Sequence, residues 1–377
     1  VVENKFELCV LTITSELADL RIDKALATMP AVATRSQASR LLQQGRVRAN
    51  GRVLKPSYLT REGDIIDVEI PIQQTSPLVP YDFPLDIPYE DDQLLVVNKP
   101  AGLVVHPACG HLNDTLVNAL LHHTNDLSLG FNEQRPGLVH RIDKGTSGLL
   151  VIAKNDQAQR LLALQFQRKT THRLYRAIVF GKLKSESGTI KSFLKRHPDD
   201  RKRVASIEPR GDGTSDGKLA ITHYRVLNWH PSGVSLVELR LETGRTHQIR
   251  VHLSELGHPI VGDEVYGASR RLKSLKSVHL RKLIETMPRF ALHAMELGFM
   301  HPSSGKRMLF KSPWAHDLLE LVEHCDFPSF DRQHVIEHLD PSGPSSSQSS
   351  AHEDTEGRAG DIHSLIQAED EIEEDLE

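Results

Sequence analysis

The chain of 377 residues has almost no cysteine: Cys9, Cys109 and Cys325 are odd in number and far apart. Neither a disulfide framework nor a thiolate metal site can be built from them, and a reducing, cytoplasmic setting is expected. Long apolar runs are missing too. No stretch approaches the ~18 residues that a spanning helix needs, which excludes a helical membrane protein. The first residues, Val1-Val2-Glu3-Asn4-Lys5-Phe6-Glu7, lack the basic head and apolar stretch of a secretory signal. Familiar catalytic signatures are also absent: there is no HExxH, Walker A loop, GxGxxG or CxxC. That removes the usual zinc peptidases, P-loop NTPases and dinucleotide enzymes. The 21 histidines show no metal-ligand spacing with acids or cysteines. His122-His123 reads as an exposed helix end, and no metal site is expected.

Charge of one sign is missing locally, and this divides the chain better than hydropathy does. No Asp or Glu lies between Lys24 and Arg61, a stretch that carries Arg35, Arg40, Arg46, Arg48, Arg52 and Lys55. Within it, residues 36–44 read as a short helix ended by Gly45, and Asn50-Gly51 between alternating residues is a strong hairpin signal. Residues 63–70 supply a closing strand. A compact unit over 18–72 with arginines along one side is the expectation. The ordinary reading is a solvated basic face, but so long an acid-free run on so small a unit favours RNA contact.

Residues 73–88, polar and rich in proline, read as a linker. Residues 89–325 mix strands and helices without regular βαβ alternation. Strands are expected at 94–98, 149–153, 177–180, 222–227 and 235–241, and amphipathic helices at 156–169 and 246–256. The fold class is α+β, with a mixed, mainly antiparallel sheet. Three basic segments, Lys195-Arg196-His197, Arg201-Lys202-Arg203 and the acid-free residues 265–284, read as loops inserted between strands and suited to phosphate contact. From 340 to 377 a Ser/Pro-rich stretch runs into an acidic end, which cannot offset its ordering entropy by burial and is expected to be disordered. This tail alters the meaning of the net charge of −4. Residues 341–377 hold 11 acids and one base, which leaves 45 basic against 39 acidic residues, a net of +6, in the first 340. A near-neutral average thus conceals a basic folded part.

One acid stands out. Asp143 lies in Arg135-Pro136-Gly137-Leu138-Val139-His140-Arg141-Ile142-Asp143-Lys144-Gly145-Thr146-Ser147-Gly148-Leu149-Leu150-Val151-Ile152-Ala153-Lys154, where polar residues and glycines crowd in front of a buried strand. Such a loop can hold one carboxylate at the mouth of a sheet, with Arg141 and Lys144 close by to keep it ionised. An Asp in a Gly/Ser/Thr turn can equally be a turn residue and nothing more. Local chemistry leaves both readings open.

The segment resembles the HRLDxxTSGLLxxAK signature of the RluA-type RNA pseudouridine synthases, the RluD/RluC group in particular, with Ile142 where leucine is usual. Further stretches are similar to other motifs of that family: residues 94–107 (Leu94-Leu95-Val96-Val97-Asn98-Lys99-Pro100 onward), residues 241–253 around Gly244-Arg245-Thr246-His247-Gln248, and Gly257-His258-Pro259-Ile260-Val261-Gly262-Asp263. The basic N-terminal unit looks like the S4-type RNA-binding domain that precedes the catalytic domain in that group. The likeness runs in order over about residues 20–325. It implies an isomerase that turns specific uridines into pseudouridine, with no nucleotide or other cofactor. The implied partner is large-subunit rRNA or a ribosomal precursor particle, and the implied target is helix 69 of 23S rRNA. Rival readings are another rRNA site, a tRNA loop, or a catalytically silent assembly factor. Carried over, the catalytic aspartate falls on Asp143, the active-site tyrosine on Tyr175, and the basic residue that pairs with the aspartate on Arg245. The ordinary readings beside these are a strand aromatic for Tyr175 and a surface helix cation for Arg245.

Overall fold

A computed structural model describes residues 6–29, 31–32, 35–71, 78–108, 110–129, 135–200, 202–209, 215–329 and 335–339. The acidic tail expected from residue 340 on lies outside these residues. The chain divides into two compact units, Val1–Pro77 and Leu78–Glu377.

In the first unit, β1 (Phe6–Thr12), β2 (Val47–Ala49), β3 (Arg52–Val53) and β4 (Ile65–Pro71) form an antiparallel sheet in the order β1-β4-β2-β3. The Asn50-Gly51 turn joins β2 to β3 with positive φ at both residues, 49° and 75°. That backbone twist matches the strands it connects. Helices α1 (Ile22–Leu26) and α2 (Arg35–Gln43) contribute Ile22, Leu26, Leu41 and Leu42 to a core shared with Val47, Ile66 and Val68. The sheet reaches further toward the N-terminus than residue 18, because Phe6–Thr12 pairs along β4 from Phe6↔Pro71 to Thr12↔Ile65. This strand is hard to read in sequence: Leu8 and Val10 are exposed on it, so it lacks the alternation of a half-buried strand.

The second unit begins inside the segment read as a linker. Leu78, Phe83, Leu85 and Ile87 pack on its core, and Tyr81 N–H donates to the Asn118 carbonyl at 2.9 Å. Prolines 80, 84 and 88 favour extended backbone, and the apolar residues alternating between them turn one side inward. From Leu78 on, this is a strap rather than a spacer.

Eleven strands follow in one sheet: β5 (Tyr89–Glu90), β6 (Leu94–Lys99), β7 (Ser147–Ala153), β8 (His172–Phe180), β9 (Ser187–Arg196), β10 (Val204–Ile207), β11 (Lys218–His230), β12 (Val234–Leu241), β13 (Leu292–Met300), β14 (Arg307–Lys311) and β15 (Val335–Leu339). The main path is β10-β9-β11-β12-β8-β13-β7-β6-β5, with β14 on β13 and β15 on β14. All pairings are antiparallel except β7 with β13. The fold is α+β with a mixed, mainly antiparallel sheet, as the sequence implies. Strands β6 and β7 are buried on both faces: Leu95, Val97, Leu150 and Ile152 enter one core, and Leu94, Val96, Leu149 and Val151 the other. Each such side chain contributes about 1.5–3 kcal/mol by leaving water.

The helices are α3 (Leu116–His123), α4 (Asp156–Gln167), α5 (Gln248–Glu255), α6 (Ala268–Leu272), α7 (Val278–Thr286) and α8 (His316–His324). Two expectations need correction here. Lys195 and Arg196 close strand β9 and pair with Ala205 and Val204 of β10, so that segment is a hairpin and not a free loop. Residues 265–284 form α6 and most of α7, since Leu275, Leu280, Leu283 and Ile284 bury one side and leave Arg270, Arg271, Lys273, Lys276 and Lys282 exposed. The sheet also continues past residue 325, because β15 pairs with β14.

Gly148 has φ of 118°, and a Cβ there would collide with the Ala294 carbonyl of β13. Gly148→Ala is therefore expected to lower stability by about 3 kcal/mol or more. Chemical unfolding reads this directly, and an unchanged midpoint would mean that β7 and β13 tolerate separation.

Candidate active site

The Asp143 loop is fastened from below before it enters β7. Lys99, fully buried at the end of β6, donates from Nζ to the carbonyls of Pro100 (2.7 Å), Leu103 (2.9 Å) and Lys144 (3.3 Å). Gly102 N–H adds a second bond to the Lys144 carbonyl at 2.8 Å. Burial pushes the Lys99 ammonium down to about 7, and Arg289 pushes the same way, against the pull of Asp143. Within the loop, Thr146 N–H donates to the Asp143 carbonyl at 2.9 Å, which turns the chain and leaves the carboxylate 21% exposed.

The cation against that carboxylate is Arg250. Its Nη1 lies 3.3 Å from Asp143 Oδ2, while Nε and Nη2 grip Asp263 at 2.7 and 3.0 Å. Asp263 is 1% exposed and also accepts from the N–H groups of Val265 and Tyr266 at 3.2 and 3.3 Å. The guanidinium is packed against Phe290 and Tyr266, 4.4 and 4.9 Å from their ring centres. Burial works against its charge, but the two carboxylates outweigh burial and raise its pKa.

The pairing expected of Arg245 is thus made by Arg250. Arg245 lies three residues before α5, where its N–H bonds Gln248 Oε1 at 3.1 Å and its Nε donates to the Leu219 carbonyl at 3.2 Å. It faces the same pocket from another wall. Arg250 is in the first turn of α5, on the side where Ile249 and Leu253 enter the core, and this carries it inward to Asp143. Both arginines stand in the quoted motif, and sequence alone does not tell which one turns in. The signal that points to Arg250 is the acid in Gly262-Asp263, since an inward arginine needs a buried partner.

Tyr175 lies mid-strand in β8, opposite Leu239 of β12 and Ala294 of β13. It is 7% exposed, and burial raises its phenol pKa. The structure brings Asp143, Tyr175, Arg245, Arg250 and Arg141 to one pocket, with Arg173, His247 and Phe166 on its walls. Lys144 is on the exposed rim, where Nζ contacts His111 Nε2 at 2.9 Å and His111 Nδ1 contacts Asp114 at 2.7 Å. His140, missed in the sequence, stacks on Phe166 with ring centres 4.4 Å apart and accepts the Val151 N–H at 3.0 Å.

The other basic candidates are in the first unit. Arg35 and Arg40 are on α2, and Arg52 and Lys55 are exposed. Arg46 and Arg48 approach Glu69 at 3.8 and 3.9 Å, and Arg46 also covers the Phe6 ring at 4.0 Å. Exposed pairs this long contribute little to stability and leave both cations able to meet a phosphate. Among the described residues, no helix is long and apolar enough to cross a membrane, and no group of three His, Cys, Asp or Glu is placed to hold a metal ion.

One arginine-paired carboxylate, a buried tyrosine and a basic wall thus meet in one pocket. Comparison with known proteins identifies the family. Residues 93–255 match the family described as RNA pseudouridylate synthase, and residues 20–66 match the S4 domain. The chain is 42% identical over 314 residues to an uncharacterized RNA pseudouridine synthase, YlyB, of Bacillus subtilis, covering 83% of this chain and 97% of that one. It is 43% identical over 311 residues to ribosomal large subunit pseudouridine synthase D of Zymomonas mobilis, covering 82% and 94%. An uncharacterized RNA pseudouridine synthase of Chloroflexus aurantiacus is 47% identical over 298 residues, covering 79% and 87%. The chain belongs to the RluA family of RNA pseudouridine synthases and carries an S4 RNA-binding domain. It is an intramolecular isomerase acting on uridine in RNA.

Among the histidines of the catalytic unit that burial keeps neutral are His106 and His252. Burial, Arg141 and Arg135 take His106 from the ordinary 6.5 down to about 3, and burial takes His252 to about 4. A folded value below the unfolded one means that the unfolded chain binds the proton first, so stability is lost as pH falls below about 6.5. The loss is at most ~1.4 kcal/mol per pH unit per histidine. His106→Gln is expected to flatten the decline of unfolding free energy between pH 6 and 4, measured by urea titration. An unaltered slope would show that His106 takes up its proton without unfolding.

Proposed function

We propose that this enzyme isomerises uridines of large-subunit rRNA, with helix 69 of 23S rRNA as its target, in the cytoplasm, and that Asp143 is its catalytic carboxylate. The observation that carries the site reading is the Asp143–Arg250 ion pair on a pocket that also exposes Tyr175. The target reading is supported by relatives named ribosomal large subunit pseudouridine synthase D at 40–43% identity.

The reaction breaks the bond between ribose C1′ and uracil N1, turns the base, and joins C1′ to C5, with the C5 proton lost and N1 protonated. No redox change occurs, and no outside energy is needed. A carboxylate serves either as nucleophile at the sugar or as the base that forms a glycal-type intermediate, and both uses require it ionised. Arg250 faces that carboxylate and is fixed before substrate arrives, so little reorganisation is needed during the reaction. Tyr175 is positioned for the base, its ring to stack on a flipped uracil and its hydroxyl to assist removal of the C5 proton. Arg245 and Arg141, on the pocket wall, suit the phosphates or carbonyls of the target nucleotide. Arg35, Arg40, Arg46, Arg48, Arg52 and Lys55 of the S4 unit, and Lys144 on the rim, contact the RNA backbone in this reading.

Pseudouridine mapping of ribosomal RNA from cells lacking the protein tests the target, and loss confined to another rRNA site or a tRNA would displace helix 69. In vitro, Asp143→Ala is expected to reduce turnover at least ~10³-fold while RNA binding persists. Wild type that binds rRNA and forms no pseudouridine would instead favour an assembly factor. For the S4 unit, Arg52→Ala with Lys55→Ala should weaken RNA affinity and reduce the slope of log affinity against log salt by about 1 for each phosphate no longer neutralised. A slope equal to that of wild type would remove those two residues from the interface.

A further inference from the structure

His247 has an unusual setting that the proposed chemistry does not use. It adopts left-handed backbone, φ 56° and ψ 15°, directly before α5. A residue with a Cβ is strained there, and such strain gathers where a side chain must be aimed. Its Nδ1 is 2.8 Å from the Tyr266 hydroxyl, and the two rings meet edge to face, 5.6 Å between centres. That hydroxyl also accepts the Val204 N–H at 2.8 Å and reaches the Val204 carbonyl at 3.3 Å. A phenol has one hydrogen and two lone pairs. We assign that hydrogen to the Val204 carbonyl, which leaves its lone pairs to the N–H groups of Val204 and of His247 Nδ1. The proton on Nδ1 leaves a lone pair on Nε2.

Among the described residues, Nε2 of His247 has no protein partner and is not sealed from solvent. His247 lines the pocket together with Asp143, Tyr175 and Arg250. Its ring stays neutral, because burial, Arg250 and Arg141 outweigh Asp143 and Asp263 and lower its pKa. Arg245, Gln248 and Arg250 beside it cannot do the same. Arginines only donate, and Gln248 spends its amide on Thr243, Arg245, Ile221 and Thr222. A uridine brings carbonyl acceptors, which arginines suit, and also N–H and O–H donors, which need an acceptor.

We propose that His247 is a substrate-binding residue whose Nε2 accepts a hydrogen bond from the target nucleotide, with Tyr266 fixing which nitrogen is offered. The donor is the uracil N3–H or a ribose hydroxyl. The proposal rests on the Asp143 pocket being the catalytic site.

Pseudouridine formation is followed as C5-hydrogen release from a stem-loop RNA carrying the mapped target uridine. His247→Ala is expected to lower kcat/KM roughly 10-fold. His247→Gln, which offers an amide oxygen, should recover part of that loss, and His247→Phe, a ring without a lone pair, should not. Tyr266→Phe keeps a ring beside Arg250 but unfastens His247, so kcat/KM falls in the same direction by less. The donor is identified with two competitor stem-loops, one with N3-methyluridine and one with 2′-deoxyuridine at the target. Their inhibition constants are compared between wild type and His247→Ala, and the penalty of the substitution should vanish on the competitor that lacks the donor. A penalty undiminished on both, or Phe performing as well as Gln, overturns the proposal. Asp143→Ala is assayed alongside. Full turnover by that variant sinks the site reading itself, whereas an inactive Asp143→Ala beside an unaffected His247→Ala sinks the His247 proposal alone.

Discussion

The catalytic unit is organised around one buried guanidinium. Arg250 joins Asp143 to Asp263 and is packed against two aromatic rings. An arginine out of water is expensive, and removing one partner of such a cluster typically costs about 3–5 kcal/mol, because the remaining charge has nowhere to go. The surroundings meet that requirement with groups far apart in sequence. Asp263 is held in turn by two backbone N–H groups. Phe290 can approach because residue 145 is glycine: a Cβ there would lie 2.7 Å from its ring. The glycine two residues after Asp143 therefore serves the arginine that faces Asp143, and the loop sequence becomes intelligible only with Arg250 in place.

A second buried arginine braces the same region. Arg289 grips Asp317 through two bonds of 2.8 Å and donates to the Ser147 hydroxyl at 2.8 Å and to the Leu292 carbonyl at 2.8 Å. It thereby ties α8 to the start of β7 and of β13, beside the Asp143 loop. Lys99 does the equivalent from the β6 end through three carbonyls. Buried cations that saturate carbonyls or carboxylates leave few alternative arrangements, since each displaced partner would strand a polar group without water. Rigidity at Asp143 follows from this network, as a preorganised site requires.

Much of this is legible in the sequence, and the failures have physical causes. Strands β6, β7 and β12 and helix α4 announce themselves through apolar runs and the Asn155 cap, whose side chain accepts the Ala158 N–H at 2.9 Å. Motif likeness locates Asp143 and Tyr175, and both line the pocket. What a motif cannot supply is the direction of a side chain. Arg245 and Arg250 are five residues apart, and only the start of α5 at Gln248 decides which one turns inward. The hairpin β9–β10 is hidden because Leu194 alone among its strand residues is fully buried, so little apolar burial marks it. Helices α6 and α7 are hidden because their cations dominate the composition, while the few buried leucines carry the period.

Electrostatics joins these points to the reaction. The pocket is lined by Arg141, Lys169, Arg173, Arg245 and Arg250, against Asp143 and Glu242. This excess of positive charge attracts a phosphate backbone. It has a further effect on the imidazoles nearby. Arg141 lowers His106, Arg173 lowers His140, and Arg250 and Arg141 lower His247, each in the same direction as burial. Burial, helped by these cations, keeps the histidines neutral, and a neutral imidazole keeps one lone pair. A wall built mostly of donors thus carries neutral acceptors too.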